Sequence, residues 1–180
     1  MTIVIIIGIL LVLFLIITYN RLINLRNYVK EAFSTMDVYL KKRWDLVPNL
    51  LEIVKAYTQH ERGLLTEVTE LRTGNYAQMS DNEKIDANRI LGQSLAKIIA
   101  VAENYPDLKA NEHYSKLMEE LLSIENDIAN SRKYYNGCVR ILNNTVEIFP
   151  TNLVAMVIGI KSAKMFEISD EERQNVKVEF

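Results

Sequence analysis

The chain has 180 residues, a formal net charge of −2, six glycines, three prolines and a single cysteine, Cys138. A near-neutral balance gives no electrostatic basis for nucleic-acid binding, and one cysteine excludes an intramolecular disulfide framework, consistent with a reducing compartment. Scarce Gly and Pro, with almost no alternating apolar–polar runs, favour an all-α fold.

The first charged residue is Arg21. A helix of the apolar residues before it would be about 27–30 Å long, matching a hydrocarbon core of about 30 Å. A cleaved signal peptide needs a basic start and a small-residue cleavage site. Met1-Thr2 carries no Lys or Arg, and the segment ends Ile16-Ile17-Thr18-Tyr19-Asn20. A lipoprotein anchor would need a cysteine here. Residues 1–20 are therefore expected to be a retained, single-pass transmembrane anchor in contact with membrane lipid. Arg21, Arg26 and Lys30 follow the span and no basic residue precedes it. The positive-inside rule then puts the N-terminus outside the cell membrane and the rest in the cytoplasm.

Residues 21–168 are expected to form one helical-bundle domain. Leu22, Leu25, Val29, Phe33, Met36, Leu40, Val47, Leu50, Leu51 and Val54 fall mostly three or four residues apart, the spacing of one helix face. The phase survives Pro48, so a kinked continuous helix is favoured over a new helix capped by Asp45. The stripe continues through Tyr57, Leu64, Val68 and Leu71, past Gly63, to Gly74. Ser80-Asp81-Asn82-Glu83 has the form of a capping box and should open a second helix that stops near Asn104, ahead of Pro106. Asn111 is the expected N-cap of a third long helix ending before Pro150. Leu153 to Ile160 suggests a short fourth. A second S-x-x-E, Ser169 to Glu172, opens an acidic tail, residues 169–180, whose end is expected to be extended.

The expectation is an N-terminal transmembrane helix followed by an elongated antiparallel helical bundle of about four helices. Lengths pose a problem for it. A first soluble helix from Arg21 to Thr73 would run about 80 Å and the second about 37 Å. The second cannot cover the first one's stripe. Either the first helix breaks, or other helices and other copies of the chain cover the remainder. Self-association into a homo-oligomer is the expected outcome of the latter.

Recognisable chemistry is absent from the pattern. His60-Glu61 lacks the second histidine of a zinc-protease motif, no Glu-x-x-His pair exists for a di-iron bundle, and there is no P-loop or G-x-S-x-G elbow. Cys138 reads as a packing residue. No cofactor and no catalytic residue are expected. Charge is uneven: Arg21 to Arg43 holds six basic and two acidic residues, Glu167 to Phe180 five acidic and two basic. The tail either docks on the basic stretch or both are solvated surfaces. Lys41, Lys42 and Arg43 lie too far past the span for anionic lipid; part of the cluster can pair along the helix with Asp37 and Asp45.

The densest motif runs Asp37-Val38-Tyr39-Leu40-Lys41-Lys42-Arg43-Trp44-Asp45-Leu46-Val47-Pro48-Asn49-Leu50. With Tyr19-Asn20-Arg21-Leu22, Glu103-Asn104-Tyr105-Pro106, Phe149-Pro150-Thr151-Asn152-Leu153 and Phe166-Glu167, it resembles the LemA family of membrane proteins across nearly the whole chain. Phe33 stands where that family usually has tryptophan, Lys42 where it has arginine, and Trp44 where a smaller residue is common. The resemblance implies an anchored helical bundle without an assigned activity, acting as membrane scaffold or adaptor. Two functions are expected from this: a scaffold self-assembling at the cytoplasmic face, or a monomeric adaptor for a membrane protease or other membrane protein. The residues expected to meet a partner are Lys41, Lys42, Arg43, Asp45, Asn49 and Leu50.

Overall fold

The computed structural model describes residues 1–58, 66 and 75–166. Among these residues the chain is all-α, with no strand. Its elements are α1 (Thr2–Tyr57), a 3-10 turn (Tyr76–Gln78), α2 (Asp81–Ala102), α3 (Pro106–Lys109), α4 (Glu112–Glu147) and α5 (Thr151–Ile158). The capping motif at Ser169, the acidic tail, His60, and the stripe at Gly63, Leu64, Val68 and Leu71 lie outside the described residues. Contacts divide the chain into two units, Met1–Thr35 with Ser131–Met165 and Met36–Asn130 with Phe166–Phe180.

Helix α1 is one unbroken element from the apolar opening through Pro48. Residues 1–17 are exposed on every side, the pattern of a helix whose solvent is lipid. It is the one helix among the described residues long and apolar enough to cross a membrane, with a mean hydropathy of 3.0 in its most apolar stretch. Beyond Asn20 the burial becomes one-sided, as the three-four spacing requires. The helix stops at Tyr57, short of the expected Thr73. The Thr58 N–H still makes the last helical bond, to the Val54 carbonyl at 3.0 Å, and the Thr58 hydroxyl donates to the same carbonyl at 2.9 Å.

In the first unit, Leu22 shares a core with Leu142, Val154, Ala155 and Ile160. The Phe33 ring meets the Tyr135 ring edge-on, with centroids 5.8 Å apart. Leu22 with Leu142 and Phe33 with Tyr135 run in opposite sequence directions, so α1 and α4 are antiparallel here. α4 gives way to α5 through the cis Phe149–Pro150 bond, and the two helices meet at 101°. α5 ends at Gly159, whose φ of 72° needs a residue without Cβ. The Ile160 N–H then reaches back to the Ala155 carbonyl at 3.0 Å, closing the helix end.

In the second unit, Met36, Leu40, Val47, Leu50, Ile85, Leu91, Ile98 and Leu108 are almost wholly buried. From Leu22 to Val54 the inward positions of the stripe are buried or partly buried within a single chain, in keeping with the expected alternative that other helices cover what α2 cannot; α4 is 36 residues long. Caps fall where the side chains call for them. The Asn111 side-chain oxygen accepts from the Tyr114 N–H at 3.0 Å, and Pro106 opens α3. At the start of α2, Ser80 and Glu83 form a reciprocal capping box.

The Ser80 hydroxyl and N–H each donate to Glu83 at 2.7 Å, and these bonds hold the Glu83 carboxyl below its ordinary value, the hydroxyl contributing most. A lowered carboxyl stabilises the fold above its unfolded-state pKa, and the gain is lost as pH falls through the lowered value. Ser80→Ala should cost about 1 kcal/mol near neutral pH, measured by denaturant unfolding in detergent. The difference from wild type should shrink once Glu83 is protonated; a pH-independent difference would exclude this cap as the cause.

Candidate partner-binding surface

Lys41, Lys42 and Arg43 are adjacent in sequence but face different surroundings, because each step along a helix turns the side chain about 100°. Arg43 is buried. Its guanidinium makes a forked bond to Glu125 at 2.8 and 3.1 Å. The other terminal nitrogen donates to the Asn88 carbonyl at 2.6 Å and to its side-chain oxygen at 3.2 Å. Gly92 faces it, and a Cβ there would sit 3.4 Å from an Arg43 nitrogen, in van der Waals contact. Arg43 thus links α1, α2 and α4 within the second unit and is not offered to a partner. Leu50 is wholly buried as well. Both expected surface positions are corrected by their phase: 36, 40, 43, 47, 50 and 54 alternate steps of four and three, the inward seam of the helix.

A second polar cluster flanks this seam. The Tyr76 hydroxyl donates to Asp37 at 2.7 Å, and Lys84 pairs with the other carboxylate oxygen. The Asn88 amide donates to the Tyr76 oxygen at 3.3 Å. Burial, reinforced by the Asp37 carboxylate, pushes the Tyr76 hydroxyl well above its ordinary pKa, so it remains a donor at physiological pH. The Tyr76 ring packs against Trp44 at 5.2 Å. Asp37 is therefore taken by Lys84 and Tyr76. Of the two expected pairs along the helix, Lys41 with Asp45 is the one that forms.

The remaining expected residues lie at the surface. Lys42, Asp45 and Asn49 line one wall of an open groove of about 460 Å³, with Leu46 at its base. α4 supplies the other wall through Leu117, Glu120, Ile124 and Asp127. The lining brings together three carboxylates, of which Asp45 is paired with Lys41, one lysine, and the apolar side chains of Leu46, Leu117 and Ile124. Lys42 also rests over the Tyr39 ring at 5.5 Å. The α4 half of this groove was not foreseen, because residues some 75 positions away in sequence give no local signal. His113 is exposed, and among the described residues no three His, Cys, Asp or Glu side chains gather to hold a metal ion.

Residues 32–180 match the model of the LemA family. The chain is similar to the magnetosome protein MamQ 2 of Paramagnetospirillum magneticum, at 21% identity over 85% of this chain and 66% of that protein. It is similar to Protein LemA of Metamycoplasma hominis, at 23% identity over 87% of this chain and 72% of that protein. With MamQ of Magnetospirillum gryphiswaldense the identity is 18%, over 84% and 65%. The chain thus spans about two thirds of the length of the MamQ relatives it matches.

The split within the basic triplet is measurable. Arg43→Leu strips Asn88 and Glu125 of a charged donor and should cost about 1.5–3 kcal/mol. Lys41→Gln with Lys42→Gln should stay within about 1 kcal/mol of wild type, as exposed charges do. Leu50→Ala should cost about 2–5 kcal/mol. Denaturant unfolding of the three variants in one detergent gives the ranking; an Arg43 variant as stable as the lysine pair would exclude a structural role for the arginine.

Proposed function

Because the chain belongs to the LemA family and its apolar opening helix continues without a break into the folded units, we propose that it is a membrane-anchored helical adaptor. Residues 1–20 stay in the membrane, the N-terminus lies outside and the chain beyond residue 20 faces the cytoplasm. The protein acts by binding and not by catalysis. The observation that carries this reading is the helix itself: anchor and module share one backbone, so the module is held at the membrane surface. The internally covered stripe favours an adaptor over obligatory assembly. The groove between Lys42, Asp45 and Asn49 on α1 and Glu120 and Asp127 on α4 suits a basic, amphipathic segment of another membrane protein, by charge and by its apolar side chains.

A second reading, self-assembly into a scaffold, keeps one support. Tyr134 and Ile141 lie seven residues apart on α4, both at least half exposed, with exposed Tyr28 in the same unit. That is a face a second copy can cover.

Two measurements test the proposal. With Cys138 replaced, Thr2→Cys should react with a membrane-impermeant reagent on intact cells, and Asn75→Cys only after lysis. Labelling of position 75 from outside reverses the orientation. The mass of the protein in nanodiscs separates the readings: an adaptor is monomeric, whereas a multimer dissociated by Tyr134→Glu establishes the scaffold.

A further inference from the structure

The first unit leaves an apolar face uncovered at its α4–α5 corner. Phe149, Met156 and Val157 are 74%, 76% and 87% exposed, and Ile148 and Leu153 are also exposed. The opposite face of α5, Val154 and Ala155, packs into the core with Leu22. α5 is thus apolar on both faces, which water alone does not explain.

Its place in the unit identifies the cover. Leu22 is two residues beyond the end of the expected span. Thr18 lies one turn earlier on the same helix face, about 6 Å deeper along the axis. Thr18 is only 4% exposed, whereas Ile17 and Tyr19 beside it are 65% and 47% exposed. Protein therefore packs against the last turn of the span itself, on the face that carries Leu22 and its α5 partners. Direction agrees with depth. α4 is antiparallel to α1 in this unit and meets α5 at 101°. If α1 crosses the membrane, α5 lies close to the membrane plane.

Charge agrees as well. Residues 1–35 and 131–165 contain eight Lys or Arg and two acidic residues. Lys161 and Lys164 follow α5 directly and are exposed. From these observations we infer that Ile148, Phe149 and the outer face of α5, Leu153, Met156 and Val157, insert into the interface of an anionic bilayer as a second membrane contact. An amphipathic helix in such a position buries its apolar side about 5–10 Å into the headgroup and acyl boundary, and Thr18 already lies about 3 Å inside the end of the expected span.

The inference rests on residues 1–20 being a membrane anchor, so its test reports on the two separately. Full-length single-cysteine variants in a Cys138→Ser background carry an environment-sensitive nitrobenzoxadiazole label at Met156→Cys or Val157→Cys. Gly8→Cys serves as the anchor control and Glu119→Cys as the solvent control. The labelled protein is reconstituted into phosphatidylcholine–phosphatidylglycerol vesicles with doxyl-labelled lipid as quencher. Positions 156 and 157 should be blue-shifted and quenched by shallow doxyl probes, position 8 by deep ones, and position 119 by neither. Quenching at position 8 with water-like emission at 156 and 157 overturns the second contact and leaves the anchor standing. Blue-shifted emission at 156 and 157 without lipid quenching also overturns it, and assigns the face to another copy of the chain. No quenching at position 8 overturns the anchor itself.

Discussion

With residues 1–20 as the proposed anchor, one backbone serves two solvents, and that constraint governs the rest of the molecule. Lipid asks α1 to be apolar all round, because no polar group there can find water. A folded unit asks it to be apolar on one side only. Residues 1–17 meet the first demand, and the seam from Leu22 to Val54 meets the second. Burying each large apolar side chain is worth about 1.5–3 kcal/mol. Pro48, which has no N–H for the Trp44 carbonyl, costs about 3 kcal/mol within a helix. Val47, Leu50, Leu51 and Val54 lie on both sides of it and are all buried, so packing outweighs the lost bond and the helix runs through.

Local signals carried most of the fold. The apolar opening, the three-four spacing, the capping box at Ser80, Asn111 and the stop before Pro106 each act within one or two turns, and each is visible in a short window. The pairing of helices was not visible. Nothing near Met36 or Leu40 says which element covers them, so a helix break, other helices and other copies of the chain all stayed open as answers to the length mismatch. α4 resolves this, because it is long enough to contribute to both units.

Arg43 shows the same division more sharply. Its charge invites grouping with Lys41 and Lys42, yet its phase groups it with Leu40, Val47 and Leu50. Phase was the stronger signal, because burial follows geometry and a charge can be satisfied by partners 45 and 82 residues away. Removing such a charge is costly while keeping it is not clearly stabilising. What the arginine supplies is registration, a forked donor that fits one arrangement of three helices. The lysines keep what the sequence suggested, a place on the surface, and the groove beside them needed α4 to exist.

The α4–α5 corner could not be recognised as special from its residues alone. Leu153, Val154, Met156 and Val157 read together as one short apolar helix, yet of the four only Val154 is buried. Only the contrast between buried Val154 and exposed Val157, three residues on, separates a face that meets protein from a face that meets something else. In water the exposed face forfeits the stabilisation its burial would bring; in a bilayer interface it recovers it. Electrostatics acts over too short a range to place such a corner by itself, since salt screens charges beyond about 8 Å. In the inferred arrangement the anchor instead sets the height, through Thr18 and Leu22, and the nearby lysines favour an anionic surface once that height is fixed. If the proposed anchor and the inferred corner contact both hold, the protein is fixed at two points, and two points restrict tilt and rotation where one span alone does not.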